Sequence, residues 1–350
     1  MKRPARAKFL SCLFLCVFAG SLSSAVAATA AAGNGSRAVT QMTPHDRLYA
    51  VAFGGDVGVA VGHAGLILET GDGGKTWAKA AEQPPTKLAM HGIAISGDRS
   101  IAVGQQGLVL VRKGRGAWHK VDSGSTMRLL RVGLNKNGLA VAVGAFGTLL
   151  KSTDGGETWT SIAPNWAELY KSSNTGGSFE TVRDEPTLYV VKVFDDGSIL
   201  IGGEYGQLNL SSDGGTTWAP VFQGVSAENA STPPTIFGMN IGDDGSGYAS
   251  GQGGLVIKTG DAGRSWAQMP SGSEASLFDI DSTRDGQVVA VGMRAGLVSA
   301  DGGATWKSLD ALDLSLNWYA GLSRGTSTPG NALFAVGHSG RVLNLVVDRR

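Results

Sequence analysis

Five aspartates in this chain share one chemical setting. Asp72, Asp154, Asp213, Asp261 and Asp301 each stand third in an octapeptide of the form Ser/Thr-x-Asp-x-Gly-x-Thr/Ser-Trp. The copies read TGDGGKTW, STDGGETW, SSDGGTTW, TGDAGRSW and SADGGATW, and they end at Trp77, Trp159, Trp218, Trp266 and Trp306. A carboxylate flanked by hydroxyls has the makings of an acid–base group. Catalysis needs such a group once, however, and this one recurs five times. A folding role accounts for every residue type. Aspartate accepts backbone N–H bonds in a tight turn, glycine supplies positive φ, and the hydroxyls bond locally. Tryptophan is large and flat, so it can wedge between repeats while its N–H finds a partner. The octapeptides are therefore expected to be structural, with no catalytic residue among them.

The other candidates for chemistry are sparse. The five histidines, His45, His63, His91, His119 and His338, are scattered and contain no His-x-x-x-His pair. His63 and His338 occupy the same place in two repeats and could approach each other, but solvent-facing turn histidines are the favoured reading. No metal site is expected. There is no Gly-x-x-x-x-Gly-Lys-Ser/Thr stretch, and the glycine pairs never open a helix, which excludes the common nucleotide-binding loops. No cofactor is expected.

The elements that carry these residues are repeats. A sixth copy, VRKGRGAW ending at Trp118, keeps the tryptophan and lacks the aspartate, so six of the eight tryptophans hold one position. A second motif, apolar-apolar-Gly-x-x-Gly, begins at Gly62, Gly104, Gly144, Gly203, Gly251, Gly292 and Gly337; the copy at Gly292 is altered and one residue short. Successive first glycines lie 42, 40, 59, 48, 41 and 45 residues apart. A period in the forties filled with strand signals specifies propeller blades. Glycine, at 53 of 350 residues, supplies the tight turns. The expected fold is all-β: a seven-bladed propeller of four-stranded antiparallel blades spanning residues 47–348. The last repeat has three strands only. A segment within residues 29–46, Arg37 to Met42, is expected to pair with Arg341 to Val347 and close the ring, since an open blade would leave an unpaired edge. The stretches Trp166 to Glu185 and Gly224 to Pro234, rich in polar residues, glycine and proline, read as loops.

Residues 1–28 form a separate unit. Lys2, Arg3, Arg6 and Lys8 precede the apolar run Phe9 to Phe18, and Ala25-Val26-Ala27 supplies a small-x-small cleavage pattern. That is a secretory signal, too short to span a bilayer. Both cysteines, Cys12 and Cys16, lie in it, so the mature chain is expected to use no disulfide or thiolate chemistry. Loss of its four basic residues leaves a net charge near −3, which argues against nucleic acid as a partner. No later run has the 18 or more apolar residues of a membrane helix.

The octapeptides match the Asp-box, or bacterial neuraminidase, repeat. Taken with the repeated Ala-Val-Gly-x-x-Gly element over residues 45–348, the chain resembles the photosystem II stability/assembly factor family. That resemblance implies a monomeric propeller, exported to the periplasm or to a thylakoid lumen, that assists assembly of a membrane protein complex or another envelope protein. The Asp-box is also shared with sialidases, sortilins and xyloglucan hydrolases, so a glycoside hydrolase is the alternative. A sialidase needs an arginine triad, a tyrosine nucleophile with a glutamate and a further acid. No Arg-Ile-Pro segment is present, sialidases have six blades, and xyloglucan hydrolases place their acids between two propellers.

Two sets of loops should line one face of the ring. The Gly-x-x-Gly turns carry His63, Phe146, Tyr205, Arg294 and His338. The starts of the first strands carry Tyr49, Tyr189, Phe237, Phe278, Trp318 and Tyr319. These are the candidate binding residues, with Arg294, Tyr205, Trp318 and Tyr319 expected nearest the centre, because tyrosine, tryptophan and arginine are favoured at interface centres.

Overall fold

A computed structural model describes residues 35–40, 42–82, 84–171, 185–226, 232–309, 312–325 and 332–346. It contains seven four-stranded antiparallel sheets, and the strand order within each is that of a propeller blade. The first strands are Leu48–Gly54, Met90–Ser96, Leu129–Leu134, Leu188–Val193, Ile236–Ile241, Leu277–Ser282 and Tyr319–Arg324. Each pairs with a second strand that is buried almost throughout, such as Val57–Gly62 or Ala140–Gly144. Third and fourth strands complete each blade, and several fourth strands, such as Ala78–Lys79, are only two residues long. The expected signal segment lies outside the described residues.

The ring closes through the N-terminus. Gly35–Thr40 pairs antiparallel with Val342–Val346 as the outermost strand of blade seven, with Gly35 opposite Val346 and Thr40 opposite Val342. The closing strand starts two residues earlier than the expected Arg37. Gly35 and Ser36 have little strand propensity of their own, and the edge of the sheet recruits them.

One connection departs from the loop expectation. Trp166–Lys171 forms a short helix, α1, in the connection to blade four. Asn165 opens it, accepting the N–H of Glu168 on its side-chain oxygen at 3.3 Å. Trp166, Leu169 and Tyr170 bury against blades three and four, and the indole N–H of Trp166 donates to the Gly147 carbonyl at 3.1 Å. Residues 172–184 lie outside the description, as do residues 227–231 of the second stretch. A second helix, α2, Leu312–Leu316, lies in the connection to blade seven. Among the described residues no helix is long and apolar enough to cross a membrane.

The core is divided among seven apolar clusters, each lying between consecutive blades. Six of them contain the octapeptide tryptophan of the later blade. Trp77 of blade one, for example, meets Phe334 of blade seven with ring centres 6.2 Å apart. Each cluster is cut between two repeats, so no blade buries its apolar faces alone.

The glycine pair has two separate causes. The first glycine is extended, and what requires it is proximity. A Cβ on Gly62 would stand 1.9 Å from the Arg47 carbonyl oxygen, and one on Gly104 would stand 2.1 Å from that of Ala89. The second glycine ends a turn with consecutive left-handed residues, such as Ala64 at φ 51° and Gly65 at φ 78°, the signature of a type I′ hairpin. The first of these two places tolerates Gln106, Phe146, Tyr205 and Ser339, all at positive φ. These turns therefore hold the starts of the first strands at one end of the ring, as in the 2.9 Å bond from His63 N–H to Arg47 O.

Candidate functional site

Every first strand begins with a β-bulge. In blade one Leu48 faces Gly62 and Ala50 faces Val61, which leaves Tyr49 as the extra residue. The same register shift occurs in the other six blades and frees His91, Leu130, Tyr189, Phe237, Phe278 and Ala320. A bulge re-aims the side chain of its unpaired residue. Here all seven turn into one mouth of the central channel, where Arg131, Met293 and Trp318 join them around a concavity of about 430 Å³.

The rings at the mouth form two walls. On one side Tyr189, Phe237 and Phe278 meet edge to face, with centres 5.3 and 5.7 Å apart. On the other, Trp318 stacks on Tyr49 at 6.1 Å, and Tyr49 meets His91 at 5.1 Å. Burial, and secondarily the charge of Arg128, pushes the His91 imidazole down to about 4, so this wall carries no charge near neutral pH. Arg131 lies at the floor and also lines the channel beneath. Its Nη2 reaches Asp279 Oδ2 at 3.6 Å and the Phe237 carbonyl at 3.5 Å.

Exposed apolar side chains lie at the same end of the ring. The exposed large hydrophobic residues among those described are Met127, Phe146, Val225, Met293 and Leu316. All five sit on Gly-x-x-Gly turns or on connections that lead into a first strand, and hence at the same end of the ring. The opposite end is charged. It carries the octapeptides and a polar concavity lined by Lys136, Lys192, Asp195, Asp196 and Asp243.

The sequence-derived candidates divide accordingly. Tyr49, Tyr189, Phe237, Phe278 and Trp318 are brought together at the mouth. Phe146 and Arg294 are exposed on their turns, and Arg294 has φ 55° in the shortened turn of blade six. Tyr319 is not at the mouth. It stands opposite Gly337 as Leu48 stands opposite Gly62, so it belongs to the core, and Ala320 takes the bulge position. Matching Trp318-Tyr319 to Leu48-Tyr49 puts the start of this strand one residue out. Alignment of Gly321 with Gly92 and Gly238 would have corrected it. A Cβ at any of these three would meet the backbone of the next blade within 3 Å. Tyr205 also leaves the centre. It packs on Tyr170 of α1 at 5.9 Å, a contact hidden while that segment reads as a loop. His63 is exposed, whereas His338 is drawn to α2: its Nε2 lies 3.4 Å from Asp313 Oδ1. Asp313 also accepts the Tyr319 hydroxyl at 2.5 Å, Asn317 Nδ2 at 2.6 Å and Arg341 Nη1. Among the described residues no group of three His, Cys, Asp or Glu could hold a metal ion. Sequence reasoning missed Arg131, a lone arginine in an alternating strand.

The octapeptides are wired internally. Asp72 accepts the Thr76 hydroxyl at 2.6 Å, the Thr76 N–H at 2.9 Å and the Thr70 hydroxyl at 2.7 Å, while Thr70 Oγ1 accepts the Gly74 N–H. Asp154, Asp213, Asp261 and Asp301 repeat the pattern. These bonds, that of the Thr76 hydroxyl foremost, hold the Asp72 carboxyl down to about 2. Trp159, Trp266 and Trp306 donate their indole N–H to the glycine carbonyl three residues back, at 2.8 to 3.1 Å. The variant copy uses another device: Arg112, buried over the Trp118 ring at 4.5 Å, pairs with Glu69 of blade one.

Two further carboxylates are buried in blade six. Asp279 accepts Ile280 N–H and Leu322 N–H; Asp281 accepts Ser282 N–H and Arg324 N–H. They tie the first strands of blades six and seven together at places where no ladder joins them. Desolvation pushes Asp281 up to about 7 and Asp279 upward too, against the nearby Arg131 charge. All four oxygens are engaged by backbone N–H groups.

No protein-family model matches the chain, and no curated protein matches its sequence. Its fold is similar to that of YCF48 from Cyanidioschyzon merolae, at 19% identity and a TM-score of 0.68 over 89% of this chain and 98% of that one. It is similar to YCF48 bound to D1 peptide, at 19% identity and a TM-score of 0.62 over 89% and 96%. It is also similar to the GH74 xyloglucanase from Xanthomonas campestris, at 18% identity and a TM-score of 0.64 over 87% of this chain and 52% of that one. At such identities the likeness is one of fold.

Proposed function

We propose that this chain is an exported, non-enzymatic binding factor that serves assembly of a membrane protein complex in the periplasm, or in a thylakoid lumen, by docking a polypeptide at the aromatic mouth. The observation that carries the reading is the mouth itself. Seven bulges turn side chains into one apolar concavity, and the exposed large hydrophobic residues lie at the same end of the ring. An apolar patch ringed by rigid turns is a binding surface that loses little entropy on association. YCF48, similar in fold, has been seen bound to D1 peptide, which supports a polypeptide as the occupant. At the mouth, the carboxyl of Asp279 is held by two backbone N–H groups and so is not placed as a free general acid, which favours binding over hydrolysis there.

Site-specific photo-crosslinking in the producing cells tests this. A benzoylphenylalanine in place of Phe278 should capture an envelope membrane protein, and one in place of Thr216 at the charged end should not. Capture from Thr216 alone would refute the docking face. Hydrolysis of xyloglucan oligosaccharides or sialyllactose by the purified chain, lost in Asp281→Ala, would refute the non-enzymatic reading.

A further inference from the structure

The mouth has a polar floor beneath apolar walls, and the pairing specifies what it holds. Two aromatic walls face each other: Tyr189-Phe237-Phe278 from blades four to six, and Trp318-Tyr49-His91 from blades seven to two. Such walls accept a flat apolar group by edge and face contacts, and the Arg131 guanidinium at the floor repels a cation. The volume of about 430 Å³ lies near the lower end of small-ligand pockets. The guanidinium of Arg131 lies between this space and the channel below, its side chain 22% exposed. Its two contacts, at 3.6 Å to Asp279 and 3.5 Å to the Phe237 carbonyl, are both long, and a guanidinium has five donors. Asp279 cannot turn toward a ligand, because both its oxygens accept backbone N–H groups. The charged group at the floor is therefore a donor only.

We propose that the group captured at the mouth is a tyrosine side chain projecting from the polypeptide partner, its ring between the two walls and its hydroxyl oxygen accepting from Arg131. This rests on the docking reading above. Five other side chains fail on one count each. Phenylalanine and leucine bring no acceptor. Tryptophan brings only a donor, which a guanidinium floor cannot use. Aspartate and glutamate bring an acceptor without an apolar body. The surrounding Met127, Phe146, Met293 and Leu316 would then contact the segment on which that tyrosine stands, which favours a polypeptide over a free phenol.

End-blocked Gly-Gly-X-Gly-Gly peptides with X as Tyr, Phe, Trp or Leu, titrated into the exported chain and followed by saturation-transfer NMR, test the inference. The tyrosine peptide should bind about tenfold more tightly than the phenylalanine peptide, the scale of one hydrogen bond to a charged group. Arg131→Gln should bring the two to equality, and Phe278→Ala should weaken both. If Arg131→Gln fails to fold, the peptide ranking on the unaltered protein decides. Equal binding of the phenylalanine or tryptophan peptide would overturn the assignment, as would tyrosine-peptide binding that survives Phe278→Ala, or binding of phosphatidylglycerol vesicles with no peptide response. Cross-linking of a membrane protein from position 278 without a tyrosine preference would retain the docking face and remove this inference alone.

Discussion

Removal of residues 29–40 should open the ring. The deletion takes away the outermost strand of blade seven, five register pairs from Gly35–Val346 to Thr40–Val342. At roughly 1 kcal/mol net per hydrogen bond these contribute about 5 kcal/mol. Ordering the closing residues costs a comparable amount, about 1 kcal/mol or more each. The balance rests on side chains. Val39 packs on the cluster of Leu48, Phe334 and Val342, and removal of the strand uncovers Val342, Leu343 and Leu345, which are 0 to 1% exposed. Losing a part of that burial at about 25 cal/mol per Å² gives a net destabilisation on the order of 3 kcal/mol. For a domain of this size that lowers Tm by roughly 5 °C. The freed edge of Val342–Val346 should also promote self-association. Differential scanning calorimetry and light scattering read both effects. A melting point within about 1 °C of the full chain, together with a monodisperse monomer, would refute the closure energetics.

Trp159→Ala should lower stability by about 3 kcal/mol, since the ring fills the cluster between blades two and three and its N–H bonds Gly156; chemical denaturation measures it, and capture by the mouth should be unchanged. Gly104→Ala should prevent native folding or shift the start of the first strand, because its Cβ would stand 2.1 Å from the Ala89 carbonyl oxygen. Gly253→Ala, at φ 63° with nothing within 4 Å, should cost only about 1 kcal/mol; a comparison of melting points tests the pair. The octapeptide aspartates have native pKa values lowered to about 2 at Asp72, Asp213, Asp261 and Asp301. Their contribution is thus complete above about pH 4, the unfolded value, and disappears as pH falls through 2. Asp281 has the opposite sign. Its native value is raised to about 7, so the folded chain holds a proton that the unfolded chain releases, and stability falls as pH rises from about 4 to 7. Urea unfolding at pH 5 and pH 8 should show that fall, and it should be smaller in Asp281→Ala.

The fold was legible because its determinants repeat. The first glycine recurs because every blade brings a carbonyl oxygen within 2.3 Å of where its Cβ would be, and the tryptophan recurs because six interblade clusters need it. What repeats less was read less well. Helix α1 lies in a polar stretch, and only Trp166, Leu169 and Tyr170, spaced for one helical face and preceded by Asn165, betray it. At the site, the aromatics at the strand starts were visible, but their direction was not. A bulge is a property of pairing register, and nothing in Tyr319-Ala320 alone says which residue is left out of the ladder. Arg131 was unreadable for a related reason: its partner Asp279 lies 148 positions away and belongs to a different blade.

The bulges also bear on how such a surface can change over generations. A residue that belongs to a ladder is constrained by the strands on either side, so altering it disturbs the scaffold. Tyr49, His91, Leu130, Tyr189, Phe237, Phe278 and Ala320 stand outside the ladder register, each half-buried at the rim of a frame held by other residues. They already range from tyrosine to alanine within one chain while the seven blades keep one architecture. Seven positions of this kind amount to a combination lock: each dial turns without shifting the case, and a new partner can be accommodated by point changes with the fold left intact.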